Sequence, residues 1–171
     1  SAVGVGRVSR RRGVSGEARP SEAKMTNVTV TNKLEAPVDQ VFAAFTDIEH
    51  NAGRVAGIRD VNVLSTGEFR LGTRWRETRE VMGRLDDAEM EVTAFEKDRG
   101  YTITHFKGGA KIDTIFTFAP DGDGTVVSIT FALENHGLPP GLLAPVSWAI
   151  AGKVKDALTN DLADMKKAVE R

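Results

Sequence analysis

The chain has 171 residues, 40% of them hydrophobic, and a formal net charge of −1. A single globular domain near this size buries about 68–70% of its unfolded surface without a covalent staple, and the lack of cysteine excludes disulfides and thiolate metal sites. Residues 1–24 hold six Lys/Arg against two Glu, net +4, which leaves the body at −5, a poor surface for nucleic acid.

Those first 24 residues are rich in Gly, Ser and Arg, with isolated Val and no apolar run. They read as a disordered basic leader ahead of one domain over residues 25–171. Neither a secretory signal nor a membrane-spanning stretch is visible, so a cytoplasmic setting is the expectation. Arg10-Arg11-Arg12 is too short a basic run to imply nucleic acid or acidic lipid.

Asn27 to Leu34 alternates and is rich in β-branched residues, which predicts a strand. Pro37 opens a helix over Val38–Phe45 whose apolar face is Val38, Val41, Phe42 and Phe45. Asp47 is placed as N-cap of a second short helix reaching Ala52, ended by Gly53 and Gly57. Strand-like runs follow at Ile58–Leu64, Thr73–Met82, Glu89–Glu96, Tyr101–Phe106, Lys111–Phe118 and Thr125–Glu134. The separators are short and rich in Gly and Asp, including Gly83–Asp87, Gly108-Gly109 and Asp121–Gly124, so neighbouring strands are antiparallel.

The chain closes with an amphipathic pattern over Leu142–Arg171. At about 100° per residue, Ile150, Val154, Leu158, Leu162, Met165 and Val169 fall on one side of a helix. A stripe that long needs a broad partner, and the strands supply a sheet. Asp161 interrupts the stripe, about 20° from Val154 on the helical wheel. It is either an acid at the stripe's edge reaching water or an arginine, or a carboxylate facing a cavity.

Alternation assigns faces in several strands. Val127, Ile129, Phe131 and Leu133 share one face. Ile112, Thr114, Phe116 and Phe118 share another, as do Met90, Val92 and Ala94. Trp75 has the parity of Glu77 and Arg79, so those charges point inward with the aromatic ring or lie solvated at a rim. Tyr101, Ile103 and His105 oppose Thr102, Thr104 and Phe106, and both faces are mixed, so parity does not choose between them.

A strand, two short helices, a six-strand meander and one long helix amount to an α+β fold. A curved antiparallel sheet of about seven strands would wrap around the C-terminal helix. The order and the stretch Leu34-Glu35-Ala36-Pro37-Val38-Asp39-Gln40-Val41-Phe42 resemble the START/Bet v1-like (SRPBCC, helix-grip) superfamily, in its polyketide cyclase/dehydrase-like branch. Asp47-Ile48-Glu49, Gly72-Thr73-Arg74-Trp75 and Asp123-Gly124-Thr125 are similar to further family positions. His50-Asn51-Ala52-Gly53 stands where many relatives carry a Trp-Pro pair. The resemblance covers about residues 26–170 and marks fold elements more than chemistry.

It implies a cavity between sheet and long helix that takes an apolar ligand such as a lipid or polyketide. Phe116, Phe118, Ile129, Phe131, Leu158, Leu162 and Met165 would wall it, with Trp75, Glu77, Met90 and Tyr101 on the sheet and Trp148 at the mouth, beside Gly137–Gly141. Arg79, His105 and Asp161 are the candidates for chemistry. A guanidinium holds an enolate or carboxylate oxygen, and imidazole or carboxyl moves a proton. His50 and His136 fall in loops and read as solvated. No metal-ligand spacing, phosphate loop or nucleophile elbow occurs, so neither metal nor cofactor is expected. The leading expectation is binding of a hydrophobic small molecule. The alternatives are a cyclase/dehydratase working by general acid/base catalysis, and a protein-interaction module without ligand, docking through a sheet edge or the mouth.

If the leader contributes no core, deleting residues 1–24 moves the melting temperature by no more than about 1–2 °C, readable by differential scanning fluorimetry. A drop of about 10 °C would show that it packs on the domain.

Overall fold

The computed structural model describes residues 25–135 and 144–171, with side chains described for 27–134 and 150–171. The leader, the Gly137–Gly141 approach, His136 and the side chain of Trp148 therefore lie outside the described residues. The elements are strand β1 (Met25–Leu34), helix α1 (Val38–Thr46), a 3-10 turn (Ile48–His50), helix α2 (Asn51–Arg54), strands β2 (Ile58–Val63), β3 (Arg74–Val81), β4 (Arg84–Glu96), β5 (Gly100–Lys107), β6 (Ala110–Asp121) and β7 (Gly124–Asn135), and helix α3 (Ala144–Val169).

The strands form one antiparallel sheet ordered β1-β7-β6-β5-β4-β3-β2, with α3 held against it. This is the helix-grip arrangement that the residue pattern predicts. The grip is visible in the bonds to α3. Beside β1, Lys166 Nζ donates to the Lys33 carbonyl and Glu170 Oε1 accepts from the Glu35 backbone N–H at 2.7 Å. From the other side, Asp164 accepts from the Ala56 N–H at 3.1 Å, just ahead of β2. The two edge regions of the sheet thus reach the same helix, which requires the sheet to curl.

Three local features differ in detail from the expected pattern. Met82 and Gly83 both have positive φ (52° and 75°), so a two-residue turn links β3 to β4. Leu85, Asp86 and Asp87 are therefore strand residues and not a loop. Asp is poor in strands, but these two have partners. Asp86 is ion-paired with Lys107 of β5, and Asp87 accepts from Thr78 Oγ1 at 2.6 Å.

The register of β4 against β5 then shifts between Val92 and Ala94. A bulge inserts one residue and exchanges the faces beyond it. Ala94 is exposed, and Phe95 turns inward to meet the Phe42 and Phe69 rings at 5.9 Å each. Asp47 stands at the expected N-cap position, ahead of the 3-10 turn, but does not cap through its side chain. It instead holds His50 Nδ1 at 2.8 Å and Arg54 at 2.7 Å.

One end of the space inside the sheet is filled with rings. Phe42 and Phe45 of α1 meet Phe118 edge-on at 5.2 and 5.3 Å, and Tyr101 stacks on Phe116 at 4.6 Å. Gly100 permits that packing of β5 on β6, since a Cβ there would come within 2.4 Å of the Phe116 carbonyl oxygen. On α3 the burial is graded. Leu162 and Met165 are buried, Val154, Leu158 and Val169 are half-buried, and Ile150 is 46% exposed. The sheet therefore covers the C-terminal half of the predicted stripe more fully than its beginning.

Leu162→Ala is expected to cost about 2–5 kcal/mol, and half-buried Leu158→Ala less, as measured by urea midpoints at constant m-value. Equal, near-zero losses at both would contradict this packing.

Candidate functional site

Strand β3 carries Trp75, Glu77 and Arg79 on one face, and the structure turns that face inward. Trp75 and Glu77 are buried. Trp75 Nε1 donates to Glu77 Oε2 at 3.3 Å, Arg79 Nε donates to Glu77 Oε1 at 2.7 Å, and Arg79 Nη2 donates to Asp161 Oδ2 at 2.6 Å. Glu77, Arg79 and Asp161 side chains are 9%, 28% and 16% exposed. Asp161 thus interrupts the apolar stripe of α3 in order to meet an arginine of the sheet.

Gly57 stands against this ion pair. A Cβ on it would lie 3.5 Å from Asp161 Oδ1 and 3.7 Å from Arg79 Nη1. The sequence marks Gly57 only as a helix terminator. Its role as the surface that backs the pair depends on a contact across 104 residues of chain and has no local signature.

Burial disfavours charge on both partners, and the pairing opposes it. It pushes the Asp161 carboxyl above its ordinary range, against the pull of Arg79. For Arg79 the Asp161 and Glu77 carboxylates outweigh burial, and the guanidinium is held more firmly protonated than usual.

The structure also settles the face of β5. Tyr101, Ile103 and His105 lie opposite Phe116, Thr114 and Ile112 of β6, which are inward-facing residues. Tyr101 is buried, and its hydroxyl donates to the Phe45 carbonyl at 3.3 Å. Burial, with the Glu77 charge, raises its pKa, so it stays a neutral phenol. His105 is half-buried, and its Nδ1 is fully buried without a hydrogen-bond partner. Burial lowers the His105 pKa, although Glu77 pulls the other way, so the imidazole is neutral at neutral pH.

The predicted site residues therefore separate into two groups. Trp75, Tyr101, Phe118, Ile129, Leu162 and Met165 are buried in the packed core. Met90, His105, Phe116, Phe131, Leu158 and Asp161 are only partly buried, and Ile103, absent from the sequence-derived set, joins them. Phe69 was equally invisible in the sequence because it sits in the β2–β3 connection. It closes the core by meeting Tyr101 edge-on at 4.9 Å.

A groove of about 620 Å3 runs between Asn27, Val28 and Thr29 of β1 and Ala151, Gly152, Lys153, Lys155 and Asp156 of α3. None of the predicted site residues lines it. Among the described residues no cluster of His, Asp and Glu could hold a metal ion, and no helix is long and apolar enough to cross a membrane.

The family described as polyketide cyclase / dehydrase and lipid transport matches residues 25–170. The chain belongs to this family. No curated protein sequence matches the chain. Among solved structures, the Zhui aromatase/cyclase from Streptomyces sp. R1128 is similar with a TM-score of 0.73 at 16% identity, covering 86% of this chain and 95% of that one. A START superfamily protein from Mycobacterium smegmatis is similar at TM-score 0.61 and 17% identity, over 84% of this chain and 94% of that one. A norcoclaurine synthase point mutant from Thalictrum flavum, in complex with a transition state analogue, gives TM-score 0.66 and 14% identity over 85% and 94%. At these identities the likeness to the solved structures is one of fold alone.

The buried charges make two measurable predictions. Arg79→Met leaves Glu77 and Asp161 facing each other without a cation. The usual cost of breaking a buried pair is about 3–5 kcal/mol, and partial exposure of Arg79 lowers the expectation to about 2–4 kcal/mol in urea denaturation. His105 has a folded pKa below its unfolded value of about 6.5. Its neutral form is favoured in the fold, so its contribution is complete above that unfolded pKa and is lost as pH falls towards the folded value. NMR titration of the imidazole should give a midpoint below 6.5, and His105→Gln should flatten the loss of stability over that window.

Proposed function

We propose that this protein binds a hydrophobic small molecule between the concave face of the sheet and α3. The observation that carries the reading is incomplete burial on the inward face. Met90, Ile103, Phe116, Phe131 and Leu158 all point into the grip, yet each stays half-buried. In a filled core of this size such residues lie fully covered, as Val92 and Ile129 do. An inward apolar surface that remains accessible is what a small-molecule site consists of, and a few fixed polar groups beside it supply orientation. His105 and the Asp161–Arg79–Glu77 cluster are those groups. Membership of a family whose description includes both cyclases and lipid transport supports the reading without selecting a ligand.

Cyclase/dehydratase chemistry is a second reading, favoured by His105 in particular. A neutral imidazole on the inward face beside an apolar surface is suited to accept a proton from a carbon acid. Arg79 supports it less, because its Nε and Nη2 donors are already engaged by carboxylates.

A lipophilic fluorescent probe such as N-phenyl-1-naphthylamine should bind and brighten. Ile103→Arg, which puts a cation on the inward apolar surface, should weaken it by about tenfold or more, and His105→Gln should leave it within about threefold. Failure of the probe and of co-purifying lipid to bind, tested by native mass spectrometry, would overturn the binding reading. Turnover of a polyketide-like substrate that disappears in His105→Gln with binding intact would establish the enzyme instead.

A further inference from the structure

We propose that the inward site selects neutral or cationic amphiphiles and rejects carboxylates, because the arginine facing it is already shared by two acids. This rests on the ligand-binding reading above and adds the charge class of the ligand. Arginine recognises a carboxylate through two parallel N–H donors on one edge of its fork. In Arg79 the Nε donor goes to Glu77 and an Nη2 donor goes to Asp161, at 2.7 and 2.6 Å. The remaining terminal nitrogen, Nη1, lies against Gly57, where an added Cβ would be 3.7 Å away. Nε and Nη2 are thus committed to the protein's own acids, and a ligand acid is left only the Nη1 end of the fork.

The charges point the same way. Two carboxylates on one guanidinium leave the cluster with a net charge of −1. Neighbouring charges do not reverse it. Lys107 is paired with Asp86 across β4 and β5, and Arg59 with Glu80 across β2 and β3. His105 adds an uncharged imidazole whose buried Nδ1 has no partner. An incoming carboxylate would meet like charge in a partly buried setting where water screens it poorly. An alcohol or ketone has no such penalty. An ammonium gains from the field of the two carboxylates.

The test uses one alkyl chain with three heads. Dodecanol, dodecylamine and dodecanoate compete with N-phenyl-1-naphthylamine for the full chain near neutral pH, below their micellar concentrations. The alcohol and the amine are expected to displace the probe at concentrations about tenfold lower than the carboxylate. Glu77→Gln, which removes one acid from the cluster, should strengthen dodecanoate relative to dodecanol by about tenfold. Asp161→Asn serves the same purpose if circular dichroism shows that the Glu77 variant does not fold. Dodecanoate binding as tightly as dodecanol to the unaltered protein overturns the charge preference alone. No displacement by any of the three, together with no binding of the probe, overturns it along with the ligand-binding reading.

Discussion

The ion pair between Arg79 and Asp161 is the constraint on which the rest depends. It joins a residue of β3, one strand from an edge of the sheet, to the middle of a helix whose other side is bonded to β1 at the opposite edge. A flat sheet could not make both contacts. The pair is also one that the protein cannot abandon cheaply once formed. Opening it strands charges in a poorly hydrated place, and Glu77 is held there by the same guanidinium. Curvature of the sheet, position of α3 and electrostatic character of the interior are therefore coupled through one side chain.

That coupling divides the interior. Towards α1 the space is closed by interlocking rings from α1, the β2–β3 connection and strands β4 to β6. Further along the same strands, Ile103, His105 and Met90 carry no comparable cover. The fold thus holds a rigid aromatic floor and a more accessible apolar surface side by side. The charged cluster borders the latter. This explains how a domain with so few aromatic residues outside one cluster can be closely packed at one end and leave apolar side chains partly exposed further along the same strands.

Much of the architecture was legible because it is written in periodicity. The 3.6-residue stripe of α3, the alternation of β7 and β6, and the Gly/Asp turns each identify an element without help from its neighbours. Asp161 stood out as a polar residue inside an apolar arc, and Arg79 as a charge sharing parity with Trp75. Alternation alone did not decide their pairing, because the choice between a rim and an interior depends on how far the sheet curls. The facing of β5 was hidden for a different reason. His105 and Thr104 are both polar, and the outward Thr104 is buried by its own bonds to Thr93 and Asp113 at 2.7 and 2.6 Å. The bulge after Val92 left no mark at all in composition, so Ala94 and Phe95 exchanged the roles that simple alternation gives them. Gly57 and Phe69 act only through contacts distant in sequence.

The bonds that fasten the grip also impose an order on its assembly. Thr29 and Thr31 of β1 meet Thr130 and Ser128 of β7 across separations of 101 and 97 residues, and Glu35 waits for Glu170, 135 residues later. During synthesis β1 therefore emerges long before its neighbour exists. For most of translation it is a β-branched segment with a complete row of unsatisfied backbone groups, while the β2-to-β6 hairpins are free to pair locally. A chain stalled after β6 would hold most of the sheet and none of its closure. Such an intermediate has both the exposed apolar face and the open strand that invite intermolecular pairing.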